Sequence, residues 1–137
     1  MVETRSNLLD KAAKLAAKVG HVFIATSDKG GWPHVAAART LKSGKNGEVT
    51  VSEWFCPGTM SNLQENGRVA IIVWEAKRDI GYQLSGKVAQ VKDIAVMDGY
   101  IPKMKIEPPM PQEERQLIIN VSRVTDFKRA PHTDTEE

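Results

Sequence analysis

The sequence predicts a mainly β protein: a six-stranded antiparallel β-barrel with a leading helix and a short helix between strands 3 and 4. Three observations carry this expectation. Six runs of β-branched, aromatic or alternating apolar residues are spread along the chain, and turns rich in Gly, Asn and Pro separate most of them. Helical periodicity is confined to the first 20 residues and to a short stretch after Pro57. Closing six antiparallel strands would remove the exposed edges that invite aggregation.

The elements follow in order. Across residues 7–19, Leu8, Leu9, Ala12, Leu15, Ala16 and Val19 recur at helical spacing, with Asp10, Lys11, Lys14 and Lys18 on the other side. Ser6 or Asn7 is expected to cap this helix and Gly20 to end it. Residues 21–27 read as the first strand, closed by the turn Asp28-Lys29-Gly30-Gly31. Pro33 opens a second strand over 34–42, and a turn at 43–47 leads into a third over 48–55. Pro57-Gly58 breaks that strand, and Thr59 is expected to cap a short helix that stops at Asn66-Gly67. Residues 68–75 are nearly all apolar and predict a strand buried on both faces. A long strand over 80–92 carries Gly86 as an expected bulge. One or two helical turns are expected within 94–99, before Pro102, Pro108, Pro109 and Pro111 forbid more. Residues 116–128 form the last strand, and the polar tail 129–137 is expected to be extended or disordered.

The 137 residues suit a single domain, 1–137, whose core needs neither disulfide nor structural metal, because a chain of this length buries roughly two-thirds of its unfolded surface. The net charge of +2 is interleaved along the chain, so no nucleic-acid footprint is expected. Cys56 is the sole cysteine, and neither a signal-peptide stretch nor a membrane-spanning run is visible. A cytoplasmic location without membrane association is therefore the expectation.

Most catalytic signatures are missing. His21, His34 and His132 lie apart with no ligand-spaced neighbours, so no metal is expected, and each reads as a surface or strand-end residue. Serine-elbow and phosphate-loop motifs are absent. Trp32, Trp54 and Trp74 lie in or beside strands, as core, interface or ligand-facing aromatics would. One segment carries a mechanism: Phe55-Cys56-Pro57-Gly58-Thr59-Met60-Ser61-Asn62-Leu63 runs strand, turn, helix, and a helix N-terminus favours a phosphate.

The order of motifs resembles the pyridoxamine 5'-phosphate oxidase-like family of FMN-binding split barrels, over residues 21–127. The resemblance rests on the hairpin Val22–Thr26 with Pro33-His34-Val35, on Arg39-Thr40-Leu41, on Asn62-Leu63-Gln64-Glu65-Asn66-Gly67-Arg68-Val69, and on Gly81-Tyr82-Gln83-Leu84-Ser85-Gly86. It implies a homodimer with FMN in a groove between two barrels, lined by both subunits. Arg39 would approach the phosphate, and the backbone of Thr40 and Leu41 would line the flavin ring. Ser52, Glu53 and Trp54 would border the ring or ribityl chain, and Gly58, Thr59, Met60 and Asn62 would form the phosphate end. Family members often carry a Lys or Arg just before the small helix. Here Pro57-Gly58-Thr59 stands instead, so Lys77 or Arg78 would have to compensate, and Glu53 adds a negative charge. The implied function is a small flavin-dependent reductase or electron carrier with an unidentified substrate or redox partner, and not true pyridoxamine-phosphate oxidation, since a clear C-terminal Arg-x-His segment is missing. The alternatives are a barrel using a deazaflavin or haem-derived ligand, or a non-catalytic ligand-binding dimer.

Overall fold

A computed structural model describes residues 4–54, 57–97 and 112–130. Helix α1 (Arg5–Val19) begins at Thr4, whose backbone is extended and whose hydroxyl oxygen accepts the Asn7 N–H at 3.2 Å. The cap is thus Thr4, ahead of the expected Ser6 or Asn7, because the apolar stripe already engages at Leu8. Gly20 ends the helix at φ 96°, the left-handed conformation that glycine accepts without a Cβ penalty, and its N–H closes on the Ala16 carbonyl at 2.8 Å. Leu8, Leu9, Ala12, Leu15 and Ala16 are buried.

Seven strands follow: β1 (Val22–Ser27), β2 (Pro33–Ala38), β3 (Thr40–Ser43), β4 (Glu48–Trp54), β5 (Arg68–Glu75), β6 (Ile80–Met97) and β7 (Gln112–Asp126), with helix α2 (Pro57–Glu65) between β4 and β5. They form one sheet in the order β2-β1-β5-β6-β7-β4-β3, with every neighbouring pair antiparallel. The count exceeds the expected six because the second predicted strand is interrupted at Arg39. Its halves become the two edges of the sheet. Since Ala38 and Thr40 are separated by one residue, the sheet must curl until its edges meet there. The result is a half-closed barrel, split between β2 and β3.

Inward residues alternate along each strand and interlock, among them Val22, Ile24, Val49, Val51, Ile71, Val73, Leu84, Leu117 and Ile119, while α1 packs against β3 and β5. The expectation that 68–75 is buried on both faces, covered by a helix or a second subunit, is met by the chain itself on one face. Val69, Ile71 and Val73 enter the core, whereas Ala70, Ile72 and Trp74 lie half-buried on the outer face. Likewise, residues 94–97 continue β6 rather than turning into a helix, because the ladder with β7 extends to Met97 opposite Gln112; residues 98 and 99 lie outside the described residues. The bulge at Gly86 is present: pairing jumps from Ser85↔Arg123 to Gly86↔Val121, and a Cβ on Gly86 would stand 2.0 Å from the Asn120 carbonyl oxygen.

Candidate functional site

The split itself assembles the first group of predicted residues. Beyond the break at Arg39, β3 pairs with β4 in the register Thr40↔Ser52 and Leu41↔Val51, which carries Arg39 to Glu53. The Arg39 Nε lies 3.2 Å from the Glu53 Oε1, on side chains 54% and 18% exposed. Glu53 also stands opposite Arg115 on β7 in the strand register. Thr40 is exposed, Ser52 is half-buried, and Leu41 is buried, so Leu41 can offer a ligand only its backbone. Trp54 ends β4; its side chain lies outside what is described.

The second group sits on α2, two residues beyond β4. Pro57 is the first helical residue, where its fixed φ is favourable and its missing N–H costs nothing. Thr59 is therefore the third helical residue and not the cap. It is fully buried, and its Oγ1 lies 3.4 Å from the His34 Nδ1. Its hydroxyl is turned to His34 rather than displayed to solvent. Gly58 is exposed, and a Cβ there would press to 3.3 Å from the His34 Nε2. Met60 packs partly buried against the core.

Asn62 and Asn66, one helical turn apart and so on one face, donate to the Thr26 and Ser27 hydroxyls, each at 3.1 Å. The Asn66 Oδ1 accepts the Arg68 N–H at 3.1 Å, and the Glu65 Oε2 accepts the Lys29 N–H at 2.8 Å. The Asn-Leu-x-x-Asn-x-Arg-Val segment thus fastens α2 to the β1–β2 hairpin, which fixes where the helix N-terminus points. His34, expected only as a surface or strand-end residue, joins this network. Its position was readable from the hairpin, because the turn at 28–31 sets His34 opposite Thr26.

Lys77 does not join the α2 group within the chain. It is exposed in the turn between β5 and β6, whereas α2 is fastened where β1 ends and β5 begins. The eight residues of β5 separate those ends by roughly 23 Å. Arg78, the other expected compensating cation, is bonded to Glu75, which Lys18 also approaches at 3.3 Å. These cations, the Arg78 bond foremost, hold the Glu75 carboxyl below its ordinary value.

The outer face of β1, β2 and β5 is apolar. Phe23, Val35, Ile72, Trp74 and Phe127 line a cavity of about 430 Å³ rimmed by Lys128 and Arg129. Trp32, 76% exposed, is no part of the core. Trp74 is braced from one side by Phe127, edge-on at 6.2 Å, and by the Arg129 guanidinium at 6.0 Å. Its indole N–H donates to the Asp79 Oδ1 at 2.9 Å. Asp79 also accepts the backbone N–H groups of Arg129 (2.8 Å) and Ala130 (3.2 Å). These bonds, the Arg129 N–H first, hold its carboxyl below the ordinary range. They tie residues 129 and 130, where the expected extended or disordered tail begins, to the β5–β6 turn; 131–137 lie outside the described residues.

Among the described residues, no cluster of three or more His, Cys, Asp or Glu side chains could hold a metal, and no helix is long and apolar enough to cross a membrane.

Known proteins share this architecture. An uncharacterised protein of Methanocaldococcus jannaschii is 30% identical over 112 residues, covering 80% of this chain and 74% of the relative. HupZ of Group A Streptococcus superposes with a TM-score of 0.64 at 17% identity, over 98% of this chain and 99% of that one. An FMN-binding, pyridoxamine 5'-phosphate oxidase-related protein of Nostoc punctiforme also gives 0.64, at 9% identity, over 93% and 86% of the two chains. At such identities the structures show a common fold. The family described as pyridoxamine 5'-phosphate oxidase matches residues 8–127, nearly the whole described barrel, and this chain belongs to it.

Proposed function

We propose that the chain binds FMN at the split between β2 and β3, as a homodimer with the flavin between two barrels, and works as a small flavin-dependent reductase or electron carrier. The observation that carries this reading is the meeting of Arg39 with Glu53 at the split, where Thr40 pairs with Ser52, in a chain of this family. The donor set fits the cofactor. Arg39 supplies a cation, and the first turn of α2 supplies backbone N–H groups and a positive dipole end at Gly58. Thr59 positions that turn through His34 rather than by donating its own hydroxyl. The exposed backbone at Thr40 offers hydrogen bonds to a polar ring edge.

FMN, when bound, supplies one- and two-electron transfer. The protein's part is to hold and orient it. Glu53 tempers the Arg39 charge, which favours a reversible hold over a very tight one. A second barrel would cover the apolar outer row of Phe23, Val35, Ile72 and Trp74, an uncovered patch of the kind that marks an interface.

Visible spectroscopy and light scattering on purified protein test the reading. Flavin bands, FMN release on denaturation and twice the 15.1 kDa chain mass are expected. A colourless monomer that FMN cannot reconstitute would overturn it.

A further inference from the structure

We propose that the outer face of β5, β6 and β7 carries a second anion site, separate from the flavin groove, built by Arg68, Lys87 and Asn120 and suited to a phosphate-class dianion. Strand pairing sets Arg68 directly opposite Lys87, and Lys87 directly opposite Asn120, in one row across three strands. All three are exposed. Like charges opposed in this way, with Cβ atoms about 5 Å apart, destabilise a sheet. Such a pair is ordinarily relieved by a carboxylate, and among the described residues neither cation has one. Glu65, three residues before Arg68, is bonded to the Lys29 N–H, and Glu48 opposes Asn120 one strand further on.

The row lines a cavity of about 450 Å³ with Ser85, Gly86 and Ser122. The bulge gives the cavity its shape. Ser122 is the extra residue on β7, its hydroxyl donating to the Ser85 carbonyl at 3.2 Å, and Gly86 places no side chain in the space. Side chains bearing a guanidinium, an ammonium and a carboxamide thus line one recess. Two long cationic side chains on neighbouring strands can reach separate oxygens of a tetrahedral dianion, which suits it better than a single carboxylate. The ligand itself would remove the repulsion that the strand register imposes.

Titration of the FMN-saturated protein with inorganic phosphate, at ionic strength held constant with chloride, tests the site. Amide ¹⁵N–¹H shifts and the melting temperature are both read. Saturable shifts at Arg68, Lys87 and Asn120 are expected, weakened roughly tenfold or more in Lys87→Gln and in Arg68→Gln. Lys87→Gln should melt higher than wild type without phosphate, because the opposed charges are gone, yet gain less when phosphate is added. Arg39→Ala should leave these shifts intact, which separates the site from the flavin groove. Shifts that disappear at constant ionic strength, survive both charge removals, or vanish in Arg39→Ala would overturn the proposal.

Discussion

Replacing Thr59 separates two views of α2. If Thr59 capped the helix at the surface, Thr59→Asp would preserve the cap and the stability. In the structure Thr59 is the third helical residue, fully buried, with its hydroxyl against His34. Thr59→Val keeps the shape and loses the hydroxyl's contact with His34, a cost of about 0.5–1.5 kcal/mol for each hydrogen bond lost. Thr59→Ala also leaves a methyl-sized gap and should cost about 2 kcal/mol. Thr59→Asp places a carboxylate where no solvent reaches, a penalty of about 3 kcal/mol or more. The favourable effect of an acid in the first helical turn, about 0.3–1 kcal/mol, does not offset this. Urea unfolding of the three variants should therefore rank them valine, alanine, aspartate in falling stability. An aspartate variant within about 0.5 kcal/mol of wild type would refute the buried placement and restore the cap.

Three further outcomes follow from the geometry. Gly86→Ala must displace the Asn120 carbonyl, 2.0 Å from the new Cβ, and should cost about 3 kcal/mol in thermal melts; Gly30→Ala, with nothing nearer than 3.5 Å, should change stability by less than about 0.5 kcal/mol, and equal effects would contradict the bulge. Glu53→Gln removes the charge of the Arg39–Glu53 pair, and because this pair is partly exposed the gain in FMN affinity should be at most about fivefold, with riboflavin unaffected; weaker FMN binding would mean that Glu53 orients Arg39. The depressed carboxyl of Asp79 contributes stability above its unfolded value, lost as pH falls through its lower folded one, so Trp74 emission should change on acidification below about pH 4 and that step should be missing in Asp79→Asn; an unchanged step would assign it to another group.

Periodicity made α1 and nearly every strand legible, because side-chain alternation is a local property. The break at Arg39 was not, since Ala36 to Leu41 has no turn residue and only the closure of the barrel requires an interruption there. Pro57-Gly58-Thr59 has the composition of a cap, yet proline is itself suited to the first helical position, which makes Thr59 the third helical residue. Arg39, Thr40, Leu41, Ser52 and Glu53 come together through the pairing of β3 with β4, a long-range register that no local pattern displays. Lys77 lies in the β5–β6 turn, away from where α2 is fastened, and nearness in sequence to β5 does not say which end of the barrel a turn occupies. The outward placement of Ile72 and Trp74 was hidden for another reason: a strand bearing apolar residues on both faces reads as buried on both, whether or not one chain supplies both covers.

The central claim is that a flavin phosphate sits at the split, on Arg39. Fluorescence titration of wild type and Arg39→Ala, each with FMN and with riboflavin, tests it most directly. Hydrogen bonds to charged groups contribute about 1.5–3 kcal/mol, so Arg39→Ala should weaken FMN by about ten- to a hundredfold. Riboflavin, which lacks the phosphate, should change much less. Equal losses for both ligands, or an Arg39→Ala variant that binds FMN as well as wild type, would contradict the account.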